Sequence, residues 1–149
     1  MNWNVVLKFA LVLALIGGGA AGYHFYRQDQ EFRQLHGRVT PVNVLNWVPE
    51  VEDHQDDLPI LLYFHAGAQT PEQRDIVNRF AWNNAGKAKV VSIDLERAEN
   101  LLFAIRFGVL RHPGFAIVYK HSDVRGYNGT ISSLEDLQRL LHKALSKQP

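Results

Sequence analysis

The chain has 149 residues, 46% of them hydrophobic and 21% charged, which is enough for one ordinary globular domain with its own core plus a small appendage. A formal net charge of +1, with lysine and arginine scattered along the sequence, provides no basic patch of the kind nucleic-acid binding needs, so no nucleic-acid partner is expected. The absence of cysteine excludes thiol chemistry by this chain and disulfide staples within it, but fits either redox compartment.

Apart from Lys8, residues 5–25 carry no lysine, arginine or carboxylate, and their length is close to the ~20 residues of a membrane-spanning helix. The segment reads as an anchor or as a signal peptide. The compact apolar block 9–16, followed by small residues that would allow cleavage after Ala21 or Gly22, suits a signal peptide. The weakly basic start and the continuation into Tyr23, Phe25 and Tyr26, an interfacial aromatic belt, favour an uncleaved anchor. The expected organisation is an anchor at 1–27, a charged connector at 28–38 that prolongs the anchor helix, and one domain at 39–149. Arg27, Arg33 and Arg38 compete with Lys8 in setting orientation. The simplest arrangement puts the domain outside the cytoplasm, in a periplasm or a similar space. Gly18-x-x-x-Gly22 reads as small residues tolerated in a span rather than as a pairing motif, and the oligomeric state stays open.

Residues 39–42 are a short strand candidate, and 43–51 a helical stretch. The acidic segment 50–57 reads as a solvated loop; with no glycine in 52–57 it lacks the turn of a calcium loop. The apolar, partly aromatic run 60–64 predicts a strand buried on both faces. A turn of small and polar residues follows, and then a helix start: Thr70 as cap, Pro71 in the first helical position, and Gln73 placed to reach back as in a capping box. Ile76, Val77 and Phe80 form that helix's apolar stripe.

After a turn at 83–87, residues 88–94 predict a second buried strand and 101–107 a short helix, with Leu101, Leu102 and Ile105 as core candidates. Strand, helix, strand, helix implies a parallel pair with a right-handed crossover. The run 115–119 is a further strand, 121–124 a turn, 125–127 its hairpin partner, and Asn128-Gly129 a bend. The sequon Asn128-Gly129-Thr130 is better explained by that bend than by glycosylation. Ser133-Leu134-Glu135-Asp136 opens a closing helix, on which Leu134, Leu137, Leu140, Leu141 and Leu145 repeat at helical spacing.

Leu62-Tyr63-Phe64-His65-Ala66, followed by a turn with proline third and then a helix, resembles the active-site segment of thioredoxin-like proteins. Where that family carries Cys-x-x-Cys, this chain has Gln69-Thr70-Pro71-Glu72. A second resemblance lies in Gly108-Val109 ahead of Pro113, which matches the proline that follows a cis peptide bond in that family. Together the matching segments span residues 39–145. The resemblance implies an α/β fold, a thioredoxin-like central mixed sheet flanked by helices, here preceded by the expected transmembrane helix. Dithiol exchange needs a thiolate nucleophile, and neither cysteine is present. Tyr63 precedes Phe64 in the strand where many thioredoxins keep a buried acid.

What the resemblance leaves is a binding face, because backbone beside the cis proline can pair with an extended peptide. The expected face comprises Ala66, Gly67, Ala68, Gln69, Thr70, Pro71 and Glu72 on one side, with Arg111, His112, Pro113 and Gly114 on the other. The expected partner is a protein of the membrane or envelope; no cofactor and no catalytic residue are assigned. The alternative is a non-thiol or metal-dependent enzyme using His65, Glu72 and His112, since imidazole and carboxylate suit zinc. Their spacing is not that of a tight ligand set. A structural role for each is simpler: His65 packing at the strand end, Glu72 favouring the helix N-terminus, and His112 on a surface loop.

Overall fold

Two cores are built by the alternation of one strand. In β2 (Ile60–His65), Leu61 and Tyr63 point into a cluster with Val77, Phe80, Phe115 and Leu137. Ile60, Leu62 and Phe64 point the other way, against Trp47, Val91, Ile93 and Phe107. Residues 60–64 are all 2% exposed or less, as expected of a strand with helices over both faces. The computed structural model describes residues 3–67, 69–120 and 122–146, with side chains for 19, 21–67, 69–120 and 129–146.

The elements run α1 (Trp3–His36), β1 (Val39–Val42), a π-helical turn (Val48–Glu52), β2, α2 (Pro71–Asn83), β3 (Lys89–Asp94), α3 (Leu101–Arg106), β4 (Gly114–Tyr119), β5 (Ser122–Asn128) and α4 (Leu134–Ser146). They form a five-stranded sheet in the order β1-β3-β2-β4-β5. The first three strands are parallel and the last two pairings antiparallel. α2 and α4 cover one face, and α3 with the 47–52 segment the other.

α1 continues through the connector to His36, supported by Arg27–Glu31 and Asp29–Arg33 pairs at 3.0 and 2.8 Å. Its end docks on the end of α2, where Arg33 Nη1 donates to Trp82 O at 3.2 Å. Gly37 is required there, since a Cβ would stand 2.6 Å from Arg33 O and 3.1 Å from Trp82 Cα. The expected span at 5–25 falls mostly on residues whose side chains lie outside the described set. Among the described residues, no helix is long and apolar enough to cross a membrane.

Several expectations are corrected. The 43–51 stretch is helical only from Trp47 on, where a turn at 44–46 runs into the π-helical turn. The acidic segment is only partly a solvated loop: Glu50 pairs with Lys89 at 2.6 Å, and Glu52 accepts from Trp47 Nε1 at 2.9 Å. In α3, Leu101, Leu102 and Ile105 are 46%, 72% and 72% exposed, while Ala104 and the following Phe107 enter the core. Leu145 is exposed and Ala144 takes the buried position in α4. β5 starts at Ser122, so the hairpin partner is longer than 125–127; His121 lies outside the described residues.

The closing helix starts as its sequence indicates, with Asp136 reaching back to the backbone N–H groups of Ser132 and Ser133, each at 3.2 Å. Thr70 likewise caps α2, its Oγ1 accepting from Gln73 N at 3.3 Å. The Gln73 side chain does not complete the expected box. It is buried and holds the backbone of Ile131, 58 residues away: Nε2 donates to Ile131 O, and Oε1 accepts from Ile131 N at 3.2 Å. Gln73→Leu leaves both groups of Ile131 unpaired in the core and is expected to cost about 2 kcal/mol or more of stability. Denaturant unfolding at unchanged m-value measures this, and a loss below about 0.5 kcal/mol would refute the clamp's contribution.

Candidate functional site

The start of α2, the end of β2 and the loop before β4 meet around a depression of about 110 Å³. His65, Ala66, Gln69, Thr70 and Gln73 contribute one side, His112, Pro113 and Thr130 the other, and Tyr63 joins from the strand. The position follows from the sheet, because β2 runs to its carboxyl end there and α2 begins with its capped first turn. The His112–Pro113 peptide bond is cis, as the resemblance implied. The Pro113 carbonyl accepts from Gly129 N at 2.7 Å, and Gly114 is already paired in β4 with Phe64 and Asn128. Arg111 and His112, both exposed, form no backbone hydrogen bond to another described residue.

The expected residues therefore divide. Gln69, Thr70, His112 and Pro113 are brought together with Ala66, and Arg111 lies beside them. Gly67 has φ +65° in the turn after β2, where a Cβ would stand 3.2 Å from Glu96 Oε1. Pro71 and Glu72 are exposed on the first turn of α2 and do not line the depression. Gly114 is buried, packed against Val109, so it supports the loop from beneath. Ala68 lies outside the described residues. The alternative triad is not assembled, as His65 and His112 share the depression while Glu72 stands away from it. Among the described residues, no group of three histidine or carboxylate side chains is placed to hold a metal ion.

Sequence inspection missed Tyr63, Gln73 and Thr130 as walls of this site. Tyr63 stacks on Phe115, with centroids 5.0 Å apart and planes at 12°, and lies 5.3 Å from the His65 ring. Burial pushes its phenol up from the ordinary value, so it stays neutral at neutral pH. The proximity of Thr130 to Gln69 comes from the Gln73–Ile131 clamp and has no local signal. A second depression, of about 410 Å³, adjoins the first and shares Ala66 and His112 with it. It is lined by Leu95, Leu101, Ala104, Ile105, Val109 and Leu110, with Arg111 at its margin.

Solved structures with this arrangement are informative. The chain superposes on thioredoxin f2, crystallised with ferredoxin:thioredoxin reductase, at a TM-score of 0.60 and 20% identity, covering 73% of this chain and 96% of that one. The fold is thioredoxin-like. The thioredoxin of Trypanosoma brucei brucei matches at a TM-score of 0.55 and 16% identity, over 75% of this chain and 95% of that chain. The first thioredoxin domain of mouse protein disulfide-isomerase A4 matches at 0.54 and 25% identity, over 76% and 78%. No family model and no curated protein matches the sequence. The present chain has no cysteine.

His65 closes the back of the site. Its Nδ1 is buried without a hydrogen-bond partner among the described residues. Burial lowers its pKa, and the nearby Asp94 and Glu96 carboxylates oppose that shift without cancelling it. The folded state therefore binds the His65 proton less well than the unfolded chain. The resulting stability is present above the ordinary imidazole value of about 6.5 and is lost as pH falls below it towards the folded-state value. An NMR titration is expected to place the His65 midpoint below about 6.5, and His65→Gln to flatten the fall in unfolding midpoint between neutral and mildly acidic pH. A midpoint at or above the ordinary value would overturn this.

Proposed function

We propose that this domain is a redox-inactive, membrane-anchored binding module that captures an extended segment of a membrane or envelope protein beside the cis proline. The observation that carries it is that Arg111 and His112, both exposed, form no backbone hydrogen bond to another described residue and adjoin a shaped depression. An extended chain laid there would extend the sheet-end hydrogen bonding by strand addition, with main-chain bonds giving affinity and side-chain depressions giving selectivity. The thioredoxins matched above share the fold, and one of them was crystallised with a protein partner. With no cysteine in the 149 residues, capture would proceed without a mixed disulfide. We read the 5–25 segment as a single membrane span, with the domain outside the cytoplasm.

The placement of α1 supports this role. It joins the domain where Gly37 and Arg33 meet Trp82, at the far end of α2 from Thr70. A domain tethered through α1 would hold the Gln69 and His112 face away from its tether, free to meet a partner.

The test is co-purification of the tagged full-length protein from its native membranes, beside a Gln69→Arg, His112→Glu double variant. His112 is exposed and Gln69 half-buried, so thermal unfolding is expected to stay within about 0.5 kcal/mol per substitution while a stoichiometric partner is lost. Retention of the partner by the variant would refute this face as the binding surface.

A further inference from the structure

The two depressions beside His112 differ in chemistry. In the larger, Leu101, Ile105 and Leu110 are 46%, 72% and 87% exposed, a solvent-facing apolar patch on a domain whose large apolar side chains in β2 and β3 are buried. In the smaller, the walls are polar: His65, Gln69, Thr70 and Thr130. They meet at Ala66 and His112, and neither Arg111 nor His112 forms a backbone hydrogen bond to another described residue. The ionisable groups lining them are Arg111, His112, His65 and Tyr63; among the described residues no carboxylate lines either one, although Asp94 and Glu96 act on His65 from nearby.

Successive side chains of an extended strand point to opposite sides. A segment crossing Arg111 and His112 must therefore direct neighbouring residues to the two depressions in turn. The geometry points to a partner segment in which an apolar residue of about leucine size lies next to a small polar one, with a carboxylate within reach of Arg111. This specificity rests on the proposed strand addition at Arg111 and His112. Burying the apolar residue against Leu101, Ile105 and Leu110 removes apolar surface of both molecules from water, a gain sufficient for at least tenfold selectivity at roughly 1.5 to 3 kcal/mol per large aliphatic side chain. The basic margin selects the sign of the neighbouring charge, because a lysine there would face Arg111 with no carboxylate among the lining residues.

The experiment uses fluorescein-labelled synthetic undecapeptides with Gly/Ser flanks, titrated against the full-length protein in detergent and read by anisotropy. Their centres are Asp-Leu-Ser and the reverse order Ser-Leu-Asp, compared with Asp-Lys-Ser, Lys-Leu-Ser and Asp-Leu-Lys. One of the first two is expected to bind at least about tenfold tighter than each of the others. Ile105→Asp should abolish the preference for leucine, Thr130→Lys the preference for the small polar residue, and Arg111→Glu should favour the Lys-Leu-Ser peptide over the Asp-Leu-Ser one. The unfolding midpoints of all three variants should match that of the parent, since the substituted side chains are exposed.

Equal affinity for all five peptides, or binding by none, would overturn the specificity. The groove itself would still stand if the Gln69→Arg, His112→Glu variant lost its native partner, so the two failures are distinguishable. Self-association of the parent protein that Ile105→Asp abolishes would assign the patch to a second copy instead and overturn the inference. Binding to anionic vesicles abolished by the same substitution would assign it to lipid, with the same consequence.

Discussion

The site depends on one buried amide. Gln73 stands in the first turn of α2, three residues after its Thr70 cap, and holds both backbone groups of Ile131. Ile131 follows Thr130, which forms a wall of the depression opposite Gln69 and Thr70. The amide therefore sets the spacing of that opening as well as joining α2 to the segment after β5. A buried primary amide is tolerated because its oxygen and nitrogen are both used, and replacing it by an apolar group would strand the peptide groups it serves. A second constraint acts from below: Gly114 admits Val109 and Arg111 O so closely that a Cβ would stand 2.4 Å from Val109 Cγ1. The loop carrying Arg111 and His112 is thus seated on β4 and held at Pro113 by Gly129.

The opposite end of α2 is organised by contact with α1. Arg33 serves two roles, pairing with Asp29 along its own helix and donating to Trp82 O across to α2. Gly86, with φ +72°, makes room for the Phe32 ring, which would come within 2.7 Å of a Cβ there. Two glycines and one arginine thus let a long helix end flush against the domain. The depression lies at the carboxyl end of β2, by the first turn of α2, whereas α1 docks at the last turn of α2.

Elements whose determinants are local were legible in the sequence. The β2 strand, the Thr70 cap, Pro71 at the first helical position and the Asp136 reach-back all lie within a few residues of their partners, so spacing alone revealed them. The cis proline was legible only through the resemblance. What failed was non-local or too short. Gln73 was read as a local cap because the capping pattern is met at that spacing, but its partner lies 58 residues away. α3 has six residues, fewer than two turns, so Leu101, Leu102 and Ile105 could not be distinguished by period from Ala104 and Phe107. The larger Phe107 takes the interior beside Trp47, which also stacks on Phe103 at 4.2 Å. That outcome leaves the leucines and Ile105 outside, and it is the origin of the apolar depression.

The chemistry available in the depression is that of hydrogen bonding. Gln69 brings an amide, and Tyr63 a phenol that burial holds neutral. His65, lowered by the same desolvation, presents a neutral imidazole near neutral pH, able to donate at one nitrogen and accept at the other. Neutral groups held in place by aromatic packing and a buried amide suit recognition of an uncharged backbone, because such contacts avoid the desolvation of a buried charge. Among the lining residues a permanent charge stands at the margin, on exposed Arg111, where water can still solvate it. An interior of neutral donors and acceptors with a cation at the rim is the arrangement a groove needs to hold main chain by hydrogen bonds and discriminate side chains by their charge.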